Sequence, residues 1–390
     1  MSRDTTKVNH LSRRALAIQP FEVMQIIEQA NQLERQGHDI IHLEVGEPKF
    51  STAPSVLRSV QDYLTQSPIR YTEASGRPDL RQAIARDYQT RFGLDVDPSR
   101  IVVTQGASAA LLLAMGAILD PGDEILMADP AYPCNRQFAR FVDANARLIA
   151  CSSKHGYQLS VDDIQNHWSD ATRAALVASP SNPTGTVVSA AELAAMQAAV
   201  SANGGHLIVD EIYQNLAYDE AAHTSLVNPD SWVINSFSKY AGMTGWRLGW
   251  MVCPEGTQQA VTNMAQHLYI SPSEVAQVAG LASFEPAAQA EFESRRLQLK
   301  ACRDYLVPAL ESLGFKVDST PAGAYYLFVD ISGVADNAAE FAQRLLRQAG
   351  VATTPGNDFG PAYANTHLRI AYVDSRERLE QAVERIRGIL

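Results

Sequence analysis

Lysine is scarce in this 390-residue chain, and one of the six lysines stands apart. Lys239 lies in NSFSKYAGMTGWRLGW, just past an apolar run and among serines, glycines and aromatics. Most of the others (Lys7, Lys49, Lys154, Lys300, Lys316) have polar or charged neighbours. Apolar surroundings desolvate an amine, lower its pKa and free the neutral form for Schiff-base chemistry. The alternative is a loop lysine that snorkels to the surface. Arg247 follows eight residues later, and Ser236 and Ser238 precede. A guanidinium presents a planar fork to phosphate, and hydroxyls fill the remaining acceptor sites. The set suits a phosphorylated aldehyde cofactor.

Five further places carry chemistry. GASAAL, residues 106–111, puts small residues at the start of a helix, where the N–H groups of Ala107 and Ser108 would face an anion. The plain alternative is a serine N-cap. Asp210 ends the apolar run HLIVD, and a buried aspartate there requires a cation such as a protonated pyridine nitrogen. Its alternative is a helix cap. Tyr213, three residues on, could reach the phenolic oxygen of the same ring. Asn182 precedes Pro183 in SPSNPTG and is held extended, its amide free for a ring oxygen and a carboxylate, although NPTG is also a common turn. Tyr132 in DPAYP could stack on a ring or fill a core. Arg369 interrupts the apolar strand HLRIAYV and needs an anion, either a substrate α-carboxylate or an internal acidic partner.

The elements that position these residues are legible as alternating short apolar runs and helical stretches. The runs are 101–104, 124–128, 146–150, 173–179, 206–210, 232–236 and 248–253. Helix-like segments such as SAALLLAMGAIL and SAAELAAMQAAVSAN lie between them. That alternation predicts an α/β fold: a mostly parallel sheet with helices on both faces, and ligands at the carboxyl ends of its strands. The candidate residues fall at those ends. From about residue 286 the pattern changes to a long amphipathic helix, short strands and two more helices. Residues 21–36 read as a helix with Val23, Ile26, Ile27 and Ala30 on one face, stopped by Gly37. The expected organisation is an N-terminal segment, 1–45, packing with a small C-terminal domain, 286–390, around a large domain, 46–285.

The net charge of −11 and pI near 5.3 argue against binding to nucleic-acid phosphates. No apolar run approaches the roughly 20 residues that span a bilayer. Residues 1–20 lack a signal-type apolar segment. Cys134, Cys151, Cys253 and Cys302 are dispersed, without metal-binding or disulfide-scaffold spacing, and read as reduced core thiols of a cytoplasmic protein. No metal site is expected.

Taken together, the chain resembles the class I and II aminotransferases of the fold-type I pyridoxal-phosphate family, near their bacterial aspartate, aromatic and alanine group. The resemblance runs nearly end to end, through VGEPKFSTAP, RYTEASGRPDLRQAIA, QGASAALLLA, DPAYP, SPSNPTG, VDEIYQNLAY, SFSKYAGMTGWRLGW, PAGAYYLFVDIS and LRIAY. It implies pyridoxal 5′-phosphate as cofactor and ping-pong transfer of an amino group from an L-amino acid to a 2-oxo acid. It implies that Lys239 carries the cofactor and shuttles the proton. Asp210 would hold the pyridine nitrogen, Asn182 and Tyr213 the ring oxygen, and Tyr132 would stack on the ring. Ala107, Ser108, Ser236 and Arg247 would bind phosphate. Arg369 would bind the substrate carboxylate, with Gly46 beside the substrate. Tyr71 matches a tyrosine given by the partner subunit to the phosphate site, which implies a homodimer.

Three departures bear on the substrate. Lys49 replaces the usual acidic residue after GEP, GASAAL lacks a lysine found in some aspartate-specific members, and Phe21 stands where hydroxyls often occur. Lys49 and Arg13 are the candidates for a second substrate cation. The stretch ALAIQPFEVM, which by resemblance covers the pocket, is largely apolar, so a neutral amino acid is expected, with glutamate as the common partner. Two other functions stay open on the same residues. One is a β-eliminating C–S lyase or a cyclopropane-forming synthase on this fold. The other is an effector-binding regulator, though no basic helix-turn-helix segment precedes residue 40.

Overall fold

The protein, seen here as a computed structural model, is described for residues 11–18, 20–218 and 222–390. Residues 1–10 of the N-terminal segment, including Lys7, and Gln19 of the pocket-covering stretch lie outside the described residues.

Seven strands form the large sheet: β2 (Ile101–Thr104), β3 (Glu124–Asp129), β4 (Asn145–Ala150), β5 (Thr172–Ala178), β6 (His206–Asp210), β7 (Trp232–Ser236) and β8 (Gly249–Val252), preceded in the chain by the short β1 (Ile41–His42). Their order is β2-β8-β7-β6-β5-β3-β4. All neighbours run parallel except β8, which is antiparallel to both β2 and β7. The parallel strands are apolar runs because helices cover both faces. Three separate apolar clusters flank the sheet, and helices Gly106–Ile118 and Ala190–Ala202 contribute to different ones. The chain moves outward from β3 to β4, then returns past β3 to β5. This reversal leaves a crevice at the carboxyl ends of the strands, where open α/β sheets bind ligands.

The second lobe has an antiparallel sheet of β9 (Tyr326–Asp330), β11 (Thr354–Pro355) and β12 (His367–Ala371), in the order β11-β12-β9. β1 pairs in parallel with β10 (Val351–Ala352), so the N-terminal segment joins this lobe by backbone as well as by packing. The predicted N-terminal helix spans Glu22–Arg35, and Gly37 lies past its end at φ +92°, a conformation that favours glycine. Its apolar face is divided. Ile26 and Ala30 are buried in the second lobe's core, whereas Val23 and Ile27 line a cavity between the lobes. The helix Pro286–Glu311 also serves two cores: Ala288 and Phe292 pack with the large lobe, Leu299, Leu306 and Leu310 with the small one. Among the described residues, no helix is long and apolar enough to cross a membrane.

Candidate active site

The crevice holds a cavity of about 360 Å³. One corner is built for a compact anion. The helix Gly106–Ile118 points its first turn into the cavity, where the opening N–H groups of a helix lack intrahelical partners. Gly106 has φ +78°, and a Cβ there would lie 2.7 Å from Nη2 of Arg247. A Cβ on Gly249 would lie 2.9 Å from the Ala107 nitrogen. These two glycines let a guanidinium and a helix start close on one point. Arg247 itself is left-handed (φ 53°, ψ 54°), and its Nη1 donates to Thr244 O at 2.8 Å. Ser236 Oγ lies 3.0 Å from Ser238 Oγ and 3.1 Å from Leu248 O, able to donate its one hydrogen to either, and both serines line the cavity. Ser108 is no N-cap: that position is Gln105, and Ser108 lies within the first turn, against the cavity.

A second corner carries a buried negative charge. Asp210 ends β6, only 5% exposed, and Oδ1 accepts from Ile212 N at 3.1 Å. Burial pushes its pKa up to about 6, opposed by that bond and by the charge of Lys239. The helix-cap alternative is not what the structure shows: residues 212–213 form a turn, and the short helix that follows, Gln214–Leu216, has Tyr213 at its N-cap, so Asp210 makes only a local turn bond that does not offset the desolvation of its carboxylate. Glu211 is pushed up to about 7 by burial and is held by Ser225 N and Oγ, Thr224 Oγ1 and Gln214 Nε2. It fastens the strand end from behind. Lys239 Nζ donates to Gly46 O at 3.3 Å and lies 5.7 Å from the Tyr213 ring centroid. The Tyr213 hydroxyl meets that of Tyr326 at 2.9 Å. Tyr132 is half-buried and lines the cavity, so it is not a core residue.

The third corner is Arg369, in the middle of β12 and 6% exposed. Nη1 donates to Asn182 Oδ1 at 3.0 Å and Nη2 to Glu44 O at 2.5 Å. Its guanidinium carbon lies 4.4 Å from the Tyr326 ring centroid and 4.9 Å from that of Phe359. Buried Nε has no partner. Among the described residues no carboxylate pairs with Arg369, which removes the internal ion-pair alternative and leaves the group poised for an external anion. Gly46 is required beside it, because a Cβ there would overlap the Tyr326 hydroxyl at 1.7 Å. Tyr71 does not join this cavity and is 80% exposed.

Both candidates for a second substrate cation are turned elsewhere. Lys49 Nζ pairs with Asp374 at 2.6 Å, a largely buried carboxylate that an acidic residue at position 49 would repel. Arg13 is exposed and does not line the cavity. Sequence reasoning also missed residues that shape the site: Glu44, Tyr325, Tyr326, Asp358 and Phe359. Tyr325 donates to Gly46 O at 2.8 Å, sharing that acceptor with Lys239. Two signals were available, an acidic residue within the apolar run IIHLEV and paired tyrosines within AYYLFVDI.

An amine, a buried carboxylate, an anion cradle and an unpaired guanidinium thus face one cavity. The family model for aminotransferase class I and II matches residues 38–386. The chain belongs to that family. It is 34% identical to the valine–pyruvate aminotransferase of Mycobacterium tuberculosis, over 95% of this chain and 96% of that one. It is also 34% identical to the aspartate/prephenate aminotransferase of Thermus thermophilus, over 97% and 98% respectively. A crystal structure of an aminotransferase from M. tuberculosis superimposes with a TM-score of 0.94 at 34% identity, covering 98% of this chain and 99% of that one. This aminotransferase is therefore an enzyme that moves amino groups between amino acids and 2-oxo acids, on the α/β fold expected from its strand pattern.

Proposed function

We propose that the aminotransferase holds pyridoxal 5′-phosphate in this cavity, acts as a homodimer, and prefers a neutral amino acid as donor. The residues fit such a cofactor: a glycine cradle that any Cβ would fill, the guanidinium of Arg247 closing on it, and a buried carboxylate pushed up by desolvation. When bound, that cofactor supplies an aldehyde for amines and a protonated ring that draws electrons from the substrate Cα. Arg247, Ser108, Ser236 and the N–H of Ala107 hold the phosphate. Asp210 keeps the ring nitrogen protonated, Asn182 and Tyr213 donate to the ring oxygen, and Tyr132 stacks on the ring. Lys239 Nζ would carry the cofactor's aldehyde group and, with its amine free, would accept the substrate Cα proton and return it. Arg369 orients the substrate carboxylate, with Gly46 leaving room for it. The dispersed, unpaired cysteines support a reducing, cytoplasmic setting.

The dimer reading rests on an exposed apolar patch. Tyr71 stands beside Ile69, which is 59% exposed, and Thr72 N donates to Ser271 Oγ at 3.3 Å, next to the exposed Ile270. Such a patch suits an interface through which Tyr71 of one subunit reaches the phosphate of the other. Sedimentation with parallel assays should find activity only in the dimer. Tyr71→Phe should weaken cofactor affinity about 10-fold, the value of one hydrogen bond. A fully active monomer at nanomolar concentration would contradict the shared site.

The substrate reading rests on one observation. Among the described residues, the cations lining the cavity are Lys239, Arg247 and Arg369, and each already has a task. A side-chain carboxylate would be buried without a partner, which is costly. The wall from the N-terminal helix is apolar instead, formed by Phe21, Val23, Met24 and Ile27. We expect kcat/KM for alanine, methionine or phenylalanine to match or exceed that for aspartate with one shared acceptor. An aspartate value about a hundredfold above all of them, nearly 3 kcal/mol of discrimination, would overturn the assignment. A half-reaction with amino acid alone separates transamination from lyase chemistry, because only the former stores the amino group on the enzyme.

A further inference from the structure

The helix Glu22–Arg35 does not cap itself. Its N-cap position is Phe21, which offers no side-chain acceptor. Asp358, from the opposite end of the chain, takes over that task. Glu22 N donates to its Oδ1 at 2.8 Å and Val23 N to its Oδ2 at 3.0 Å. Both carboxylate oxygens are engaged, and the charge faces the positive end of the helix. Asp358 is 5% exposed, far more buried than a surface cap.

The loop that carries Asp358 is anchored to the large lobe. Arg136 Nη2 donates to Asp358 O at 2.9 Å, Ala131 N to Phe359 O at 3.0 Å, and Ala362 N to Asp129 Oδ2 at 3.0 Å. The next residue, Phe359, lies against the guanidinium of Arg369. The segment before the helix is tied down as well, since Arg140 Nη1 donates to Ala17 O at 2.7 Å.

We propose that Asp358 is a positioning residue that sets side-chain selectivity. It latches the first turn of the helix so that Phe21, Val23, Met24 and Ile27 stand as a wall of the cavity. One short loop then serves both ends of the substrate. Asp358 fixes the wall for the side chain, and Phe359 backs the clamp for the carboxylate. The inference rests on the reading above that this wall meets a neutral side chain.

The test uses the holoenzyme and compares single-turnover kmax/Kd for leucine and alanine, because a methyl group is too short to use the wall. Asp358→Ala should lower the leucine-to-alanine ratio by about 3- to 30-fold, the range for losing a helix cap. Asp358→Asn, which keeps an acceptor oxygen, should recover part of it. Amide exchange over residues 22–27 should quicken several-fold in Asp358→Ala. Equal losses for both amino acids, or unchanged exchange, would overturn the proposal. Phe21→Ala separates the two readings. If it collapses the ratio while Asp358→Ala does not, the latch is wrong and the apolar wall stands. If neither variant alters the ratio, both fall.

Discussion

Lys239→Ala should lower transamination by at least about 10⁴-fold, because one substitution removes both the covalent anchor and the base. The amine is placed for both tasks, donating to Gly46 O in a cavity where Tyr213 and Tyr325 stand within 6 Å of it. Any cofactor bound to the variant would be noncovalent. Borohydride treatment of the wild type, followed by peptide mass analysis, should find the cofactor mass on the peptide containing Lys239. Label on Lys154 or another lysine would remove the centre of the proposed mechanism.

Asp210→Asn should act in opposite directions on turnover and on the stability of cofactor-free protein. Removing one partner of a buried charge pair costs about 3–5 kcal/mol, so turnover should fall by about 10²- to nearly 10⁴-fold. The stability effect follows from the pKa. In the folded protein the carboxyl is raised from 3.8 to about 6. Between those values the folded state binds more protons than the unfolded one, so stability falls as pH rises, and above about 6 the full cost remains. The difference corresponds to about 3 kcal/mol at 1.36 kcal/mol per unit. Asparagine carries no such cost and can still accept from Ile212 N. Cofactor-free Asp210→Asn should therefore melt above the wild type at pH 7–8, with the gain shrinking as pH drops toward 4. Loaded protein should show the reverse order, since the cofactor's cation stabilises aspartate and not asparagine. Near-normal turnover with an unchanged cofactor spectrum would reduce Asp210 to a turn cap.

These tests, with those on Tyr71, donor selectivity and Asp358, separate the parts of the site by what each residue does. In the proposed mechanism Lys239 and Asp210 would carry the chemistry, Tyr71 would add to cofactor affinity across the subunit contact, and the wall formed by Phe21 and its neighbours would set the choice of substrate.

Much of this was local enough to read from the chain. Strand ends are found where apolar runs stop, so the positions of Asp210, Ser236 and Tyr132 followed directly from HLIVD, WVINS and EILMAD. An arginine inside HLRIA was expected to need an anion, because an unpaired buried charge is costly; among the described residues it meets only neutral acceptors, Asn182 Oδ1, Glu44 O and Thr354 Oγ1. Period and composition also placed the helix Glu22–Arg35, yet they could not say that its apolar face serves two surfaces. Only the fold puts Ile26 and Ala30 against β10 and its neighbours while Val23 and Ile27 line the cavity. Lys49 shows the same limit. Its charge was legible, but its pairing with Asp374, 325 positions away, depends on where two lobes meet. The cap on Glu22 and Val23 comes from Asp358, and the acceptor beside Arg369 is the main-chain oxygen of Glu44. Backbone carbonyls carry no sequence signature, and contacts between distant segments leave no periodicity. Which residues can do chemistry was therefore determined by the sequence, and which of them face the same cavity was decided by the tertiary structure.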